Sequence, residues 1–152
     1  DFIMNLQGDE PAIDIQDIVK LNDKMLQNPS KIGTIAATIK ENKSLRNENI
    51  VKVITENTLG ENNFPKGISF LRKSEQIDNI YHHIGVYCYS KDSLEKFVQL
   101  SQSKNEIENR LEQLRALDNN IDINVSLAKS SPIGVDTEED YLALKKIMEY
   151  KN

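Results

Sequence analysis

The segment at residues 80–89, Ile-Tyr-His-His-Ile-Gly-Val-Tyr-Cys-Tyr, is the strongest strand signal in this chain and the feature that most restricts its fold. Tyr81, His83, Val86, Tyr87 and Tyr89 gather around Gly85, a composition suited to a pleated, largely buried surface. Other runs supply its neighbours. Residues 2–6, 32–39, 51–55 and 121–127 read as strands, the last with period-two alternation, and residues 68–72 read as a short edge strand. Asp14 reads as the N-cap of a helix carrying Ile15, Ile18, Val19, Met25 and Leu26, which Asn28-Pro29-Ser30 ends. Ser90 caps a helix bearing Leu94, Phe97 and Val98. A further helix is expected over residues 105–117 with Ile107, Leu111, Leu114 and Leu117 on one face, and a last one with Tyr141, Leu144, Ile147 and Met148 inside. Residues 40–49 and 56–66 read as polar loops. Strands alternating with helices make the class α/β. No repeat, low-complexity tract or linker divides the chain.

At 152 residues the chain is one domain able to bury a core. Its net charge of -5 and its four arginines, Arg46, Arg72, Arg110 and Arg115, form no basic stripe, which argues against nucleic acid as a partner. The apolar runs are too short to span a bilayer, so no membrane partner is expected. Cys88 is the single cysteine, which excludes an internal disulfide and a Cys-based zinc site; it reads as a small buried hydrophobe. The start carries no basic, apolar leader, so a reducing cytoplasm is the expected compartment. Phosphate loops of the G-x-x-x-x-G-K-[ST] type, the G-x-G-x-x-G fingerprint and the G-x-S-x-G elbow are all absent from the sequence.

Four constellations could carry chemistry. Gln7-Gly8-Asp9-Glu10-Pro11 follows the first apolar run, so its carboxylates sit where a strand ends, the edge at which open α/β sheets bind ligands. Such a carboxylate suits Mg²⁺, which takes few protein oxygens; the plainer reading is a turn with a capping acid. Gly134-Val135-Asp136-Thr137-Glu138-Glu139-Asp140 reads either as the cap of the last helix or as the source of a second metal carboxylate, Asp136, converging on Asp9. His82 and His83 point to opposite faces of one strand and cannot chelate one ion together, while Gly85 allows a close approach. On a continuous helix through Leu111-Glu112-Gln113-Leu114-Arg115, Glu112 and Gln113 lie away from the buried leucines. They are then either a solvated surface, with Glu112 and Arg115 paired at i,i+3 for a few tenths of a kcal/mol, or the wall of a sugar pocket or subunit contact.

Taken in order, these segments resemble the 3-deoxy-manno-octulosonate (Kdo) cytidylyltransferase, or CMP-Kdo synthetase, family. The matching blocks are residues 5–11, 49–53, 83–89, 111–117 and 134–140, spread over nearly the whole chain at family spacing. The sibling acylneuraminate cytidylyltransferases fit the Gln-Gly-Asp-Glu-Pro and Leu-Glu-Gln-Leu-Arg blocks less well. The resemblance implies a partial Rossmann-like nucleotidyltransferase fold, a mixed sheet flanked by helices. It also implies a reaction of CTP with Kdo that gives CMP-Kdo and pyrophosphate for lipopolysaccharide assembly.

By the family pattern Asp9 and Asp136 are the catalytic and metal-holding residues for Mg²⁺, and Gln7, His83, Tyr87, Glu112 and Gln113 contact or shape the sugar pocket. Residues 1–152 are then the carboxyl-terminal part of a single cytidylyltransferase domain. The family's opening strand and basic, glycine-containing phosphate loop would lie in a preceding half, so this portion alone is expected to be inactive. A homodimer is implied, with residues 81–117 near its interface. Asn109 replaces the family's usual Glu, His82 a common Arg, and residues 57–73 keep only an Ile-Ser-Phe-Leu-Arg echo. The competing expectation is a non-catalytic sugar-binding or dimerisation module.

Overall fold

A computed structural model describes residues 1–8, 11–40, 43–131 and 138–149. In chain order the elements are β1 (Phe2–Leu6), α1 (Ile15–Gln27), β2 (Ile32–Thr38), α2 (Lys43–Arg46), β3 (Lys52–Thr55), β4 (Gly67–Leu71), β5 (Ile80–Ser90), α3 (Lys91–Val98), α4 (Lys104–Asn109), α5 (Leu114–Asp118), β6 (Ile123–Leu127) and α6 (Glu138–Glu149). The expected edge strand is β4, the first in the order β4-β3-β5-β2-β6.

The tyrosine-rich strand is the centre of the sheet. Along one side β5 pairs antiparallel with β2; along the other, β3 takes Ile80, Tyr81 and His82 while β1 takes Val86 to Ser90. β1 and β3 therefore lie end to end along β5, and the join between them falls beside Gly85. β6 runs parallel to β2, so β1, β2 and β6 all point the same way. Opposite β2 the register jumps: Thr34 faces Tyr87 but Ile35 faces Ile84. The two residues passed over, Gly85 and Val86, bulge, which bends the strand.

Alternation sends β5 side chains to two cores. Tyr81, Tyr87 and Tyr89 pack with Phe97 of α3 and Leu114 and Ala116 of α5. Ile84, Val86 and Cys88 pack with Leu21 and Met25 of α1. The result is a mixed sheet between helical layers, as the strand–helix alternation predicts. α1 can approach closely because β2 presents Gly33 beneath it. A Cβ there would lie 2.7 Å from Met25 Sδ and 2.9 Å from Leu21 Cδ1.

The caps expected at Asp14 and Ser90 are present: Asp14 accepts from the Gln16 amide at 2.9 Å, and Ser90 from the Ser93 amide at 3.3 Å. Other expectations need correction. α1 buries Asp17, Leu21, Lys24 and Met25, while Ile15, Val19 and Leu26 are exposed. Apolar spacing misplaced this face because both buried charges find distant partners. Asp17 accepts the Lys129 amide, and Lys24 donates to the Asn63 carbonyl beneath the Phe64 ring. The polar stretch at 40–49 contains the short helix α2. In α6 Leu144 is buried but Tyr141 is exposed; the side chains of Ile147 and Met148 lie outside the described residues.

The helix expected over 105–117 is broken. α4 ends at Arg110, which adopts the left-handed conformation at φ 54° and ψ 48°, and α5 starts at Leu114. The break changes which residues face inward. Ile107, expected on the buried face, is exposed, and Gln113, expected on the outer side, is buried. Glu112 stays outside, 3.2 Å from Arg115 Nη2, as the i,i+3 spacing predicts.

Candidate functional site

Of the side chains singled out from the sequence, His83 and Tyr87 share the tyrosine face of β5, and Gln7 covers Gly85 between them. Asn5 of β1 pairs with Tyr87, so the chain leaving β1 reaches Gly85 at Gln7. A Cβ on Gly85 would sit 3.0 Å from Gln7 Oε1. The close approach that glycine allows is thus taken by the Gln7 amide. Four residues of regular strand span roughly 13 Å. Yet the rings of His83 and Tyr87 lie 5.5 Å apart, because the strand bends at the bulge and Gly85 puts no side chain between them.

His83 is a core histidine. Its Nε2 lies 3.0 Å from Thr34 Oγ1, Phe70 meets its ring edge-on at 5.1 Å, and burial, with His82 alongside, pushes its pKa down to about 3. It is neutral at pH 7 and suited to hydrogen bonding rather than to carrying a proton. Burial holds the Tyr87 phenol well above its ordinary pKa and Tyr89 up to about 12; the Glu112 carboxylate pushes both the same way. Both tyrosines therefore stay protonated donors.

Sequence reasoning missed the parts that hold this face together. Arg115 grips the buried Glu106 through Nε at 2.8 Å to Oε2 and Nη2 to Oε1, and stacks 4.8 Å over the Phe97 ring. Glu106 also closes a capping box with Ser103, so its carboxyl is drawn down to about 2, chiefly by Arg115. The signal was legible as Ser103-x-x-Glu106. In the sequence Arg72 stands out only as the last residue of the Ile-Ser-Phe-Leu-Arg echo. It lies just beyond β4, and its guanidinium donates to the carbonyls of Asn109, Glu48 and Arg110, each at 3.1 Å.

Asp9 and Asp136, the expected metal carboxylates, lie outside the described residues, as does Glu10. Their described flanks come to one edge. Beyond β6 the Ala128 amide donates to Ala36, the Lys129 amide donates to Asp17 at 3.0 Å, and Ser131 Oγ meets His82 Nδ1. The chain has by then crossed from β6 past β2 to β5. It touches β5 at His82, three residues from the Gly85 that Gln7 covers. Burial and the neighbouring Lys52 ammonium lower the His82 pKa, favouring the neutral ring. Among the described residues no three His, Cys, Asp or Glu side chains form a metal-binding group, and no helix is long and apolar enough to cross a membrane.

Comparison with known proteins places this arrangement. The profile of the cytidylyltransferase family matches residues 1–123. The chain belongs to the cytidylyltransferase family. Among its relatives, the 3-deoxy-manno-octulosonate cytidylyltransferase of Bartonella bacilliformis is 38% identical over 148 residues, 96% of this chain and 60% of the relative. That of Brucella anthropi is 35% identical over 142 residues, 92% of this chain and 57% of the relative. The chain thus spans about 60% of the length of such relatives. The structure of CMP:2-keto-3-deoxy-manno-octonic acid synthetase complexed with CTP superposes with a TM-score of 0.86 at 26% identity, covering 100% of this chain and 63% of the other. The UTP-bound UGPase of Acinetobacter baumannii, at 12% identity and a TM-score of 0.61 over 98% of this chain and 47% of its own, shares the fold alone. The mixed-sheet nucleotidyltransferase fold implied by the motifs is the one observed.

Proposed function

We propose that the full-length protein containing this chain transfers a cytidylyl group from CTP to 3-deoxy-manno-octulosonate. In this reaction the anomeric oxygen of the sugar forms a bond to the α-phosphorus, the bond to the β-phosphate oxygen breaks, pyrophosphate leaves, and the hydroxyl proton passes to solvent. The observation that carries the reading is the match to Kdo cytidylyltransferases over 96% of the chain, joined to a superposition that covers all of it.

The residues around Gly85 suit the acid-sugar end. Gln7 offers an amide, His83 a neutral imidazole and Tyr87 a protonated phenol, while Glu112 supplies an exposed carboxylate acceptor. The neutral groups among them recognise hydroxyls without repelling a sugar acid already bearing charge. Gln113, turned inward after the break at Arg110, completes the proposed set.

Asp9 and Asp136 are the proposed holders of Mg²⁺. Two carboxylates are hard oxygen donors of the kind that ion takes, and their described flanks meet β5 at Gly85 and His82. When bound, such an ion supplies charge neutralisation at the phosphates. Cytoplasmic location, a homodimer and a role in lipopolysaccharide assembly belong to the same proposal.

The test is pyrophosphate release by the full-length protein. Release should require CTP, Kdo and Mg²⁺ together, and a sialic acid should not replace Kdo. Asp136→Asn should lower the rate by orders of magnitude. A near-normal rate would remove Asp136 from the site, and no release with any acid sugar would leave a non-catalytic module.

A further inference from the structure

We propose that Arg72 is a positioning residue for the acid-sugar end of the site: it holds the left-handed break at Arg110 that turns Gln113 inward. The inference rests on the reading of Gln113 as a sugar contact. Its physical basis is independent of that reading.

A helix end leaves carbonyls without partners, and a non-glycine residue in the left-handed region is disfavoured by its Cβ. α4 ends with both problems. Asn109 and Arg110 expose carbonyls where the chain must turn, and Arg110 sits at φ 54°. Arg72 answers both at once. Nε donates to the Asn109 carbonyl and Nη2 to the Arg110 carbonyl, each at 3.1 Å, so the rigid fork fixes two successive carbonyls in one orientation. Nη1 donates to the Glu48 carbonyl at 3.1 Å and ties the fork to the turn before β3. A cation at a helix C-terminus also complements its dipole.

The next residues depend on this path. Leu111 donates back to the Glu106 carbonyl at 3.2 Å, then Leu114 donates to Leu111 at 3.1 Å and Arg115 to Glu112 at 3.0 Å. A helix continued through Arg110 would instead put Gln113 on its outer side. The break buries Gln113, while Glu112 stays exposed beside Arg115. Arg72 touches neither tyrosine in this arrangement; it acts through the backbone of the turn.

The experiment uses the full-length protein and compares Arg72→Met, Arg72→Lys and Arg72→Met combined with Arg110→Gly. Glycine adopts the left-handed region freely, so Arg110→Gly should hold the break without the guanidinium. In Arg72→Met we expect the KM for Kdo to rise at least tenfold, with the KM for CTP within twofold. Hydrogen exchange at the Leu114 and Arg115 amides should quicken at least tenfold while β2 and β5 amides keep their rates. Arg72→Lys, with one nitrogen for three carbonyls, should fall between. Adding Arg110→Gly should return both quantities to within threefold of the parent. An unchanged KM for Kdo, an equal rise for CTP, or no rescue by glycine would overturn the proposal. Gln113→Ala separates the two ideas. If it leaves the KM for Kdo unchanged, the sugar reading of Gln113 falls. Slow exchange retained in Arg72→Met overturns the role of Arg72 whatever the substrate.

Discussion

Replacing Arg115 with methionine should cost more stability than any exposed ion pair in this chain, because it strands the Glu106 carboxylate. Glu106 is only 4% exposed, and its oxygens receive Arg115 Nε at 2.8 Å, the Ser103 amide at 3.1 Å and Gln102 Nε2 at 3.2 Å. Its carboxyl is held at about 2 against an ordinary 4.5, and Arg115 is the largest cause. At 1.36 kcal/mol per pKa unit that difference is about 3 kcal/mol. The cluster lies close under the surface, so solvent screening trims it to about 2 kcal/mol or slightly more. Truncating one partner of a fully buried pair typically costs about 3–5 kcal/mol. Together these place Arg115→Met at a loss of about 2–4 kcal/mol. The stacking of the guanidinium on Phe97 is largely replaced by the methionine side chain.

Urea unfolding of the full-length protein measures this directly. With a slope of about 2 kcal/mol/M, the midpoint should fall by about 1–2 M. Adding Glu106→Gln removes the stranded charge yet keeps an acceptor for the Ser103 amide, and it should recover at least half of the loss. The pH dependence has a defined sign. Glu106 titrates lower when folded than when unfolded, so its contribution is full above about pH 4.5 and disappears as pH falls toward about 2. Arg115→Met should lack that part of the acid slope. A single variant costing under about 1 kcal/mol, or a double variant no better than the single, would refute the argument.

Gly33→Ala should destabilise by about 1–3 kcal/mol, read as a lowered thermal midpoint, since its Cβ would press on Met25 Sδ and Leu21 Cδ1 in a closed interface. Gly85→Ala should behave differently, because the atom it meets at 3.0 Å is the far end of the Gln7 side chain. Stability should hold within about 1 kcal/mol while the KM for Kdo rises several-fold; an unchanged KM would remove Gln7 from the pocket. The Cys88 thiol, 1% exposed and with its pKa raised by burial, should resist a thiol reagent until the protein is unfolded by urea, and rapid labelling of the folded protein would contradict its burial.

The sequence by itself determined the elements whose signal is local. A run of aromatic and β-branched residues makes 80–89 a strand wherever it is placed, and the caps at Asp14 and Ser90 need only the next few amides. The ordered motifs likewise carried the family, because together they are specific where each alone is weak. Tertiary structure alone decided which face of α1 is buried, since Asp17 and Lys24 are tolerable inside only with partners about 112 and 39 residues away. It also decided the break at Arg110. Leucine spacing favours a continuous helix there, and the left-handed turn is held by carbonyl contacts from Arg72, 37 and 38 residues earlier in the chain. Local sequence cannot encode a partner that only folding brings near, and in this protein such partners set the inward turn of Gln113.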